Sequence, residues 1–217
     1  MCGRYVIDQG SDALAAALGA HDATEASIAP HFNIPPTSTV PVVIASGGER
    51  RLGAMRWGIA GERDGRPTLS FNSRLETLVR RNAPSSYRRC LVPAAGYYEW
   101  QQASGERRPF FLRDPGHPTM TMAGIYRGRR TADGAVEWAF SIVTTAAAGS
   151  LAEIHARRPL VVPPEEWDDW LDGAEPLPAQ LQLLDGLQLP LDAVPVGSLV
   201  GDVRNNAPSL MLAVDRD

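Results

Sequence analysis

Chemistry in this sequence begins at its second residue. The chain opens MCGRY, and removal of Met1 leaves Cys2 carrying a free α-amine beside a thiol. Small second residues permit that removal, and a free N-terminal residue joins nucleophile and base in one place. The amine condenses with an aldehyde, and the thiol closes onto the imine to form a five-membered thiazolidine. Composition narrows the choice of amine further. All 21 basic residues are Arg, so the chain has no Lys. Arg stays protonated and forms no Schiff base. The N-terminal amine, with an ordinary pKa of ~7.7–8.0, is then the one amine suited to carbonyl chemistry.

Three further stretches offer polar groups. In FNSRLET (71–77) an extended backbone puts Asn72 and Arg74 on one face, able to orient an amine and grip a phosphate, or simply to be solvated. In GYYEW (96–100) Glu99 lies among aromatics. It is either a carboxyl raised into the general acid/base range by apolar neighbours or a residue on a solvated strand face. In IHARRPL (154–160) His155 suits proton transfer near neutrality, with Arg157 and Arg158 beside it as phosphate ligands or solvated charges. No two of the four His share metal-ligand spacing, and Cys2 and Cys90 make no cluster, so no metal is expected. No GxGxxG or GxxxxGK[ST] loop occurs, so no nucleotide cofactor is expected either.

These residues need elements to hold them. YVI, VPVVIA, RLGAMRWGI, RRCLVPAAGYYEW, RPFFLR, TMTMAGIYR and VEWAFSIVTTAA read as strands, rich in β-branched and aromatic residues and bounded by turn residues. SDALAAALG reads as a helix with Ser11 as N-cap, and SRLETLVRRN, SLAEIH, PPEEWDDWLDG and PAQLQLLDGL as further short helices. HDATEASIAPHFNIPPTSTV reads as a loop. Many strands with few short helices predict an α+β fold on curved antiparallel sheets. With 217 residues, one domain over 1–217 is expected, its acidic helical segment (about 163–186) on the periphery. Residues 1–160 hold 19 Arg against 14 Asp and Glu, whereas 161–217 hold 2 against 11. The split fits either a solvated acidic helix or a basic body that meets a polyanion with its acidic segment turned away. No apolar run is long enough to span a bilayer, and the N-terminus shows no secretion signal, so a cytoplasmic protein is expected.

The order of the blocks says more than any one of them. MCGR, FNIPPT, RWGI, FNSRLET, RRCLVPAAGYYEW, FSIVTTAA, IHARRPLVV and VRNNAP resemble the SRAP (SOS response-associated peptidase) family, in its order, from residue 2 to about 208. The resemblance implies the SRAP fold, a barrel-like core of curved antiparallel sheets with a few short peripheral helices. It implies covalent capture of abasic sites in single-stranded DNA, in the DNA damage response, by thiazolidine formation at Cys2. Asn72 would position the Cys2 amine and the sugar, Glu99 would shuttle protons, and His155 would assist ring opening. Arg74 and Arg157 would bind flanking phosphates, with Arg4 and Arg158 as further contacts. Autopeptidase and lyase-type activities, a monomer, and a nucleoid-associated location are implied as well. In one respect the chain departs from the family. WGIAGERDGRPTLSFN lacks the Trp and Pro that members often carry after WG, and Arg63 and Arg66 are offered there instead. Two alternatives remain open on the residues: a thiol peptidase or N-terminal-nucleophile hydrolase, and a non-covalent single-stranded DNA-binding module.

Overall fold

The computed structural model describes residues 2–81, 86–103, 105–187 and 189–214. In chain order the elements are β1 (Tyr5–Ile7), α1 (Ser11–Ala17), β2 (His21–Asp22), β3 (His31–Ile34), β4 (Thr39–Ser46), β5 (Glu49–Trp57), β6 (Ile59–Arg63), β7 (Arg66–Ser70) and β8 (Asn72–Arg74). They continue with α2 (Leu75–Arg80), β9 (Arg88–Ala94), β10 (Gly96–Ala103), β11 (Glu106–Arg113), β12 (Met120–Arg130) and β13 (Val136–Ala146). Last come α3 (Ser150–Ile154), β14 (Arg157–Pro159), α4 (Trp167–Asp172), α5 (Leu177–Gly186) and β15 (Asp192–Pro195).

Strands β13, β12, β9, β4 and β5 neighbour one another in that order, and β5 pairs back onto β13, with Ala139 opposite Arg56 and Phe140 opposite Trp57. This closes a five-stranded barrel, a device that leaves no free edge in the core sheet. Inside it Trp57, Phe140, Leu91 and Val42 are fully buried. The Trp57 indole stacks on Phe140 at 6.5 Å, and its Nε1–H donates to the Phe71 carbonyl at 2.8 Å. Strands β2, β8 and β14 attach outside the barrel. The expected α+β architecture, a barrel core with short helices around it, is the one observed.

A second antiparallel sheet, in the order β15-β11-β10-β1-β3, packs beside the barrel. Its strand β10 is covered on both sides. Tyr97 joins the barrel core, while Tyr98 joins Val6, Phe111, Val196, Val200 and Leu210 under the C-terminal segment. Double coverage explains why GYYEW shows no alternation, since strands buried on both faces read as continuous apolar runs. Gly96 starts this strand because a Cβ there would lie 2.5 Å from both the Leu112 carbonyl oxygen and the Phe111 ring.

Several local expectations need correction. The stretch 21–40, read as a loop, contains β2 and β3 and the start of β4; β3 forms because it pairs with β1, a tertiary contact that its polar composition conceals. RRCLVPAAGYYEW, read as one strand, is two, β9 in the barrel and β10 in the second sheet. Ser11 is the first helical residue rather than the N-cap, and its Oγ accepts from the Ile28 backbone N–H at 3.3 Å. GERDGRPTLS lies in the β6–β7 hairpin, turned by Asp64 (φ 52°) and Gly65 (φ 72°), the paired positive values of an Asp-Gly type I′ turn.

Helices α4 and α5 bury Trp170, Leu171, Leu181 and Leu184 and leave Asp168, Asp169 and Asp172 exposed. Asp168 meets Arg50 at 2.7 Å. The acidic segment is not turned wholly away from the predicted site residues. Helix α5 packs on α2, and Asp185 accepts from Thr145 of β13 next to Arg158. Burial of its leucines places it there. No described helix is long and apolar enough to cross a membrane.

Candidate functional site

The N-terminal segment reaches Glu99 through strand register. β1 pairs antiparallel with β10, Tyr5 opposite Tyr97, and the ladder continues as Tyr98 N–H donates to the Arg4 carbonyl at 2.9 Å. Run one step further, that register carries Gly3 alongside Glu99 and brings Cys2 to the junction of the two sheets. From the barrel side, β8 pairs with β13 and sets Asn72 opposite Ile142. Asn72 Nδ2–H donates to the Cys2 carbonyl at 2.7 Å. Cys2 is fully buried and Glu99 is 4% exposed.

His155 comes from a third direction. It ends the five-residue helix α3 in an extended conformation, and α3 packs on β10, with Gln101 Nε2–H donating to the Glu153 carbonyl at 3.1 Å. Its Nδ1 lies 3.9 Å from Glu99 Oε1. The same nitrogen is 3.0 Å from the Arg157 backbone N–H and 3.1 Å from the Arg157 carbonyl oxygen. An unprotonated Nδ1 can accept from the first and a protonated one can donate to the second. The imidazole therefore keeps a partner in either state, which suits a group that exchanges a proton.

Glu99 and His155 line a cleft of about 450 Å³ together with Gly3, Arg4, Trp100 and Arg107. Two guanidinium groups approach the Trp100 ring, Arg4 at 5.9 Å and Arg107 at 5.3 Å from its centroid. Arg4 is itself held by Asn33 Oδ1 at 2.8 Å and by the Val200 carbonyl at 2.9 Å. Asn33, fully buried, donates through Nδ2 to the carbonyls of Val200, Asp202 and Asn205. FNIPPT and VRNNAP, far apart in the chain, thus form one clamp behind the cleft. Among the described residues no three His, Cys, Asp or Glu side chains converge on a common metal-binding point.

Burial, together with the nearby Glu99 carboxylate, pushes the Cys2 thiol well above its ordinary value. Two other polar atoms near this centre, Asn72 Oδ1 and Tyr5 Oη, are buried without a hydrogen-bond partner among the described residues. Each such atom costs about 1–3 kcal/mol unless something fills its need.

The predicted arginines divide. Arg74 is exposed at the start of α2. Arg157 instead pairs with Glu76 through two contacts of 3.0 Å and also donates to the Thr144 carbonyl. Arg158 is 4% exposed and lies beside Tyr97 and Asp185. Arg63 and Arg66 face each other across the exposed tip of the β6–β7 hairpin. Sequence reasoning gave no role to Asn33, Trp100 or Arg107. Asn33 and Trp100 do lie inside quoted blocks, but the groups they meet come from chain segments up to 172 residues away.

A buried cysteine held beside a carboxylate and an imidazole, at the seam of a β-barrel and a second sheet, defines a thiol-centred site in an α+β scaffold. The profile of the SOS response associated peptidase (SRAP) family matches residues 1–203, and the chain belongs to that family. This bears out the resemblance carried by the motifs. Among its relatives, abasic site processing protein YoqW of Bacillus subtilis (strain 168) is 28% identical over 223 residues, spanning 97% of this chain and 99% of that protein. Abasic site processing protein HMCES of Rattus norvegicus is 29% identical over 236 residues, spanning 86% of this chain and 65% of that protein. The crystal structure of a protein from Bacteroides thetaiotaomicron matches with a TM-score of 0.80 at 20% identity, covering 98% of this chain and 100% of that one; at that identity the likeness speaks for the fold.

Proposed function

We propose that this chain captures abasic sites in single-stranded DNA covalently through Cys2 and so shields them. The observation that carries this is that Cys2, held by Asn72 at its carbonyl, sits buried directly behind Gly3 in a cleft whose walls include Glu99 and His155, 3.9 Å apart. The names of the relatives, abasic site processing proteins, support the same substrate.

The chemistry requires the α-amine of Cys2, hence loss of Met1. An abasic deoxyribose rests as a cyclic hemiacetal. His155 gives a proton to the ring oxygen as the C1′ hydroxyl loses its own, and the ring opens to the aldehyde. The amine nitrogen bonds to C1′ and gives up both its protons, relayed by Glu99, to the former carbonyl oxygen, which leaves as water. The Cys2 sulfur then adds to the imine carbon, and the thiol proton ends on nitrogen. One water is released in all, and no redox partner is needed. Because the thiol is held up by burial, it attacks only with a base at hand, and Glu99 is that base. Asn72 holds the Cys2 backbone during these steps.

In this assignment Arg74 and Arg4 meet flanking phosphates. Arg157 joins them only by leaving Glu76, and Arg158 braces Tyr97 from within. Self-cleavage ahead of Cys2 and lyase-type release draw on the same groups.

Incubation with an abasic single-stranded oligonucleotide, followed by a denaturing gel, tests the assignment. The shifted band should vanish in Cys2→Ala and persist in Cys90→Ala, whose cysteine is sealed in the barrel. Cys2→Ser should give an imine adduct that is lost on denaturation. A band that survives Cys2→Ala sinks the proposal, and intact mass of the purified protein reports whether Met1 has gone.

A further inference from the structure

Away from Cys2, the ends of β12 and β13 carry a surface that capture chemistry does not use. Arg129 and Arg130 end β12 and are exposed, and Arg88 is exposed on β9 next to them. Arg88 and Arg130 line a hollow of about 560 Å³ with Trp138 and Val136, while Arg127 and Arg129, opposite Ala139 and Glu137, project from the other face of the β12–β13 ladder. Trp138 is 42% exposed and Val136 45%, unusual for residues of this size on a strand. The Trp138 ring is steadied edge-on by Tyr126 at 5.8 Å, which leaves the rest of the indole open. Glu137, 3.1 Å from Arg129, lies with it on that other face and does not oppose a ligand on the indole.

Two arginines, Arg88 and Arg130, on the face of an open indole have the composition that binds single-stranded nucleic acid, with guanidinium groups on phosphates and the ring under a base. From Trp138 to Thr144, beside Arg157, is six residues along one strand, or about 20 Å at ~3.3 Å per residue. We infer that this face is a second contact for single-stranded nucleic acid, holding the strand on one side of the lesion while the Cys2 cleft holds the lesion itself. It rests on the capture reading for its purpose, but binding of an intact strand tests it separately.

The experiment measures fluorescence anisotropy of intact single strands, one shorter and one longer than the ~4–16 nucleotides of a single OB-type site, across a salt series. Trp138→Ala should weaken binding of the long strand by about fivefold or more, the lower end of the loss for one stacked base. The double variant Arg88→Ala, Arg130→Ala should make its salt slope shallower by about 1.4, at ~0.7 for each lost phosphate contact. Capture of a short abasic strand should proceed at the parent rate in each. Variants with the parent's urea midpoint that bind the long strand with unchanged affinity and slope overturn the inference. Should the parent form no adduct with abasic DNA while these variants still lose affinity for the intact strand, the capture reading fails and the second contact stands.

Discussion

Cys2, the proposed nucleophile, is kept as a thiol. Its pKa is raised first by burial and then by the Glu99 carboxylate, so at neutral pH the sulfur bears its proton and needs a base to release it. The sign gives a test in which one substitution moves two readouts in opposite directions. Glu99→Gln removes a negative neighbour, which lowers the thiol's pKa and raises the thiolate fraction at a given pH. Alkylation of Cys2 by iodoacetamide at pH 8, followed by mass spectrometry of its peptide, should therefore quicken. Adduct formation with abasic DNA should slow, by the ~10²–10⁴-fold that proton transfer contributes. Parallel changes in both would mean that Glu99 acts on Cys2 only through packing. The sequence marked Cys2, Glu99 and His155 as chemically apt. It could not show that Arg157 already holds Glu76 or that Arg158 lies within the fold, because both facts depend on partners far along the chain.

At the scale of elements, the site depends on a clamp rather than on any one strand. Asn33 of β3 ties three carbonyls of the 200–205 segment and fixes Arg4. Asn33→Ala strips the partner from these groups inside the protein, at about 1–3 kcal/mol per group left unsatisfied. Its urea unfolding midpoint should fall by an amount equivalent to about that range, with the slope unchanged. Proteolytic cleavage should begin in 198–206, and a midpoint equal to the parent's would show that the clamp carries no weight. Most strands were legible from β-branched and aromatic runs with turn residues between them. Strands β2, β3, β6, β7, β8, β14 and β15 were not, since each is short, most are polar or proline-bearing, and pairing with another strand rather than local pattern holds them extended.

For the whole molecule, the buried titratable groups set the response to pH. Cys2 and Cys90 are both fully buried with pKa values raised by burial, and Tyr5 and Tyr97 are raised for the same leading reason. In the folded state these thiols stay protonated, while unfolded they ionise near pH ~8.5. Above that value the unfolded chain binds fewer protons than the folded one, so stability falls as pH rises. The slope is about 1.4 kcal/mol per pH unit for each thiol. Below pH ~8.5 the contribution is complete. Urea midpoints at pH 8 and pH 10 should show this loss, and Cys90→Ala should remove about half of the thiols' share. A flat profile between the two would mean that the thiols ionise in place. The charge split also resolves at this scale: the acidic segment meets Arg50, flanks Arg158 and shares a hollow with Arg88, while Arg129 and Arg130 stay exposed at the end of β12.

By itself the sequence determined the class of fold, through runs whose side chains suit a pleated and buried surface. It also singled out Cys2 as the residue proposed to react, because a chain without Lys offers its one uncommitted amine at the N-terminus. Tertiary structure alone decided how Cys2 meets Glu99, which arginines are open to a ligand, and that Asn33 braces the cleft. These depend on strand register and on contacts between residues up to about two hundred positions apart, and no local pattern records which partner a strand will find.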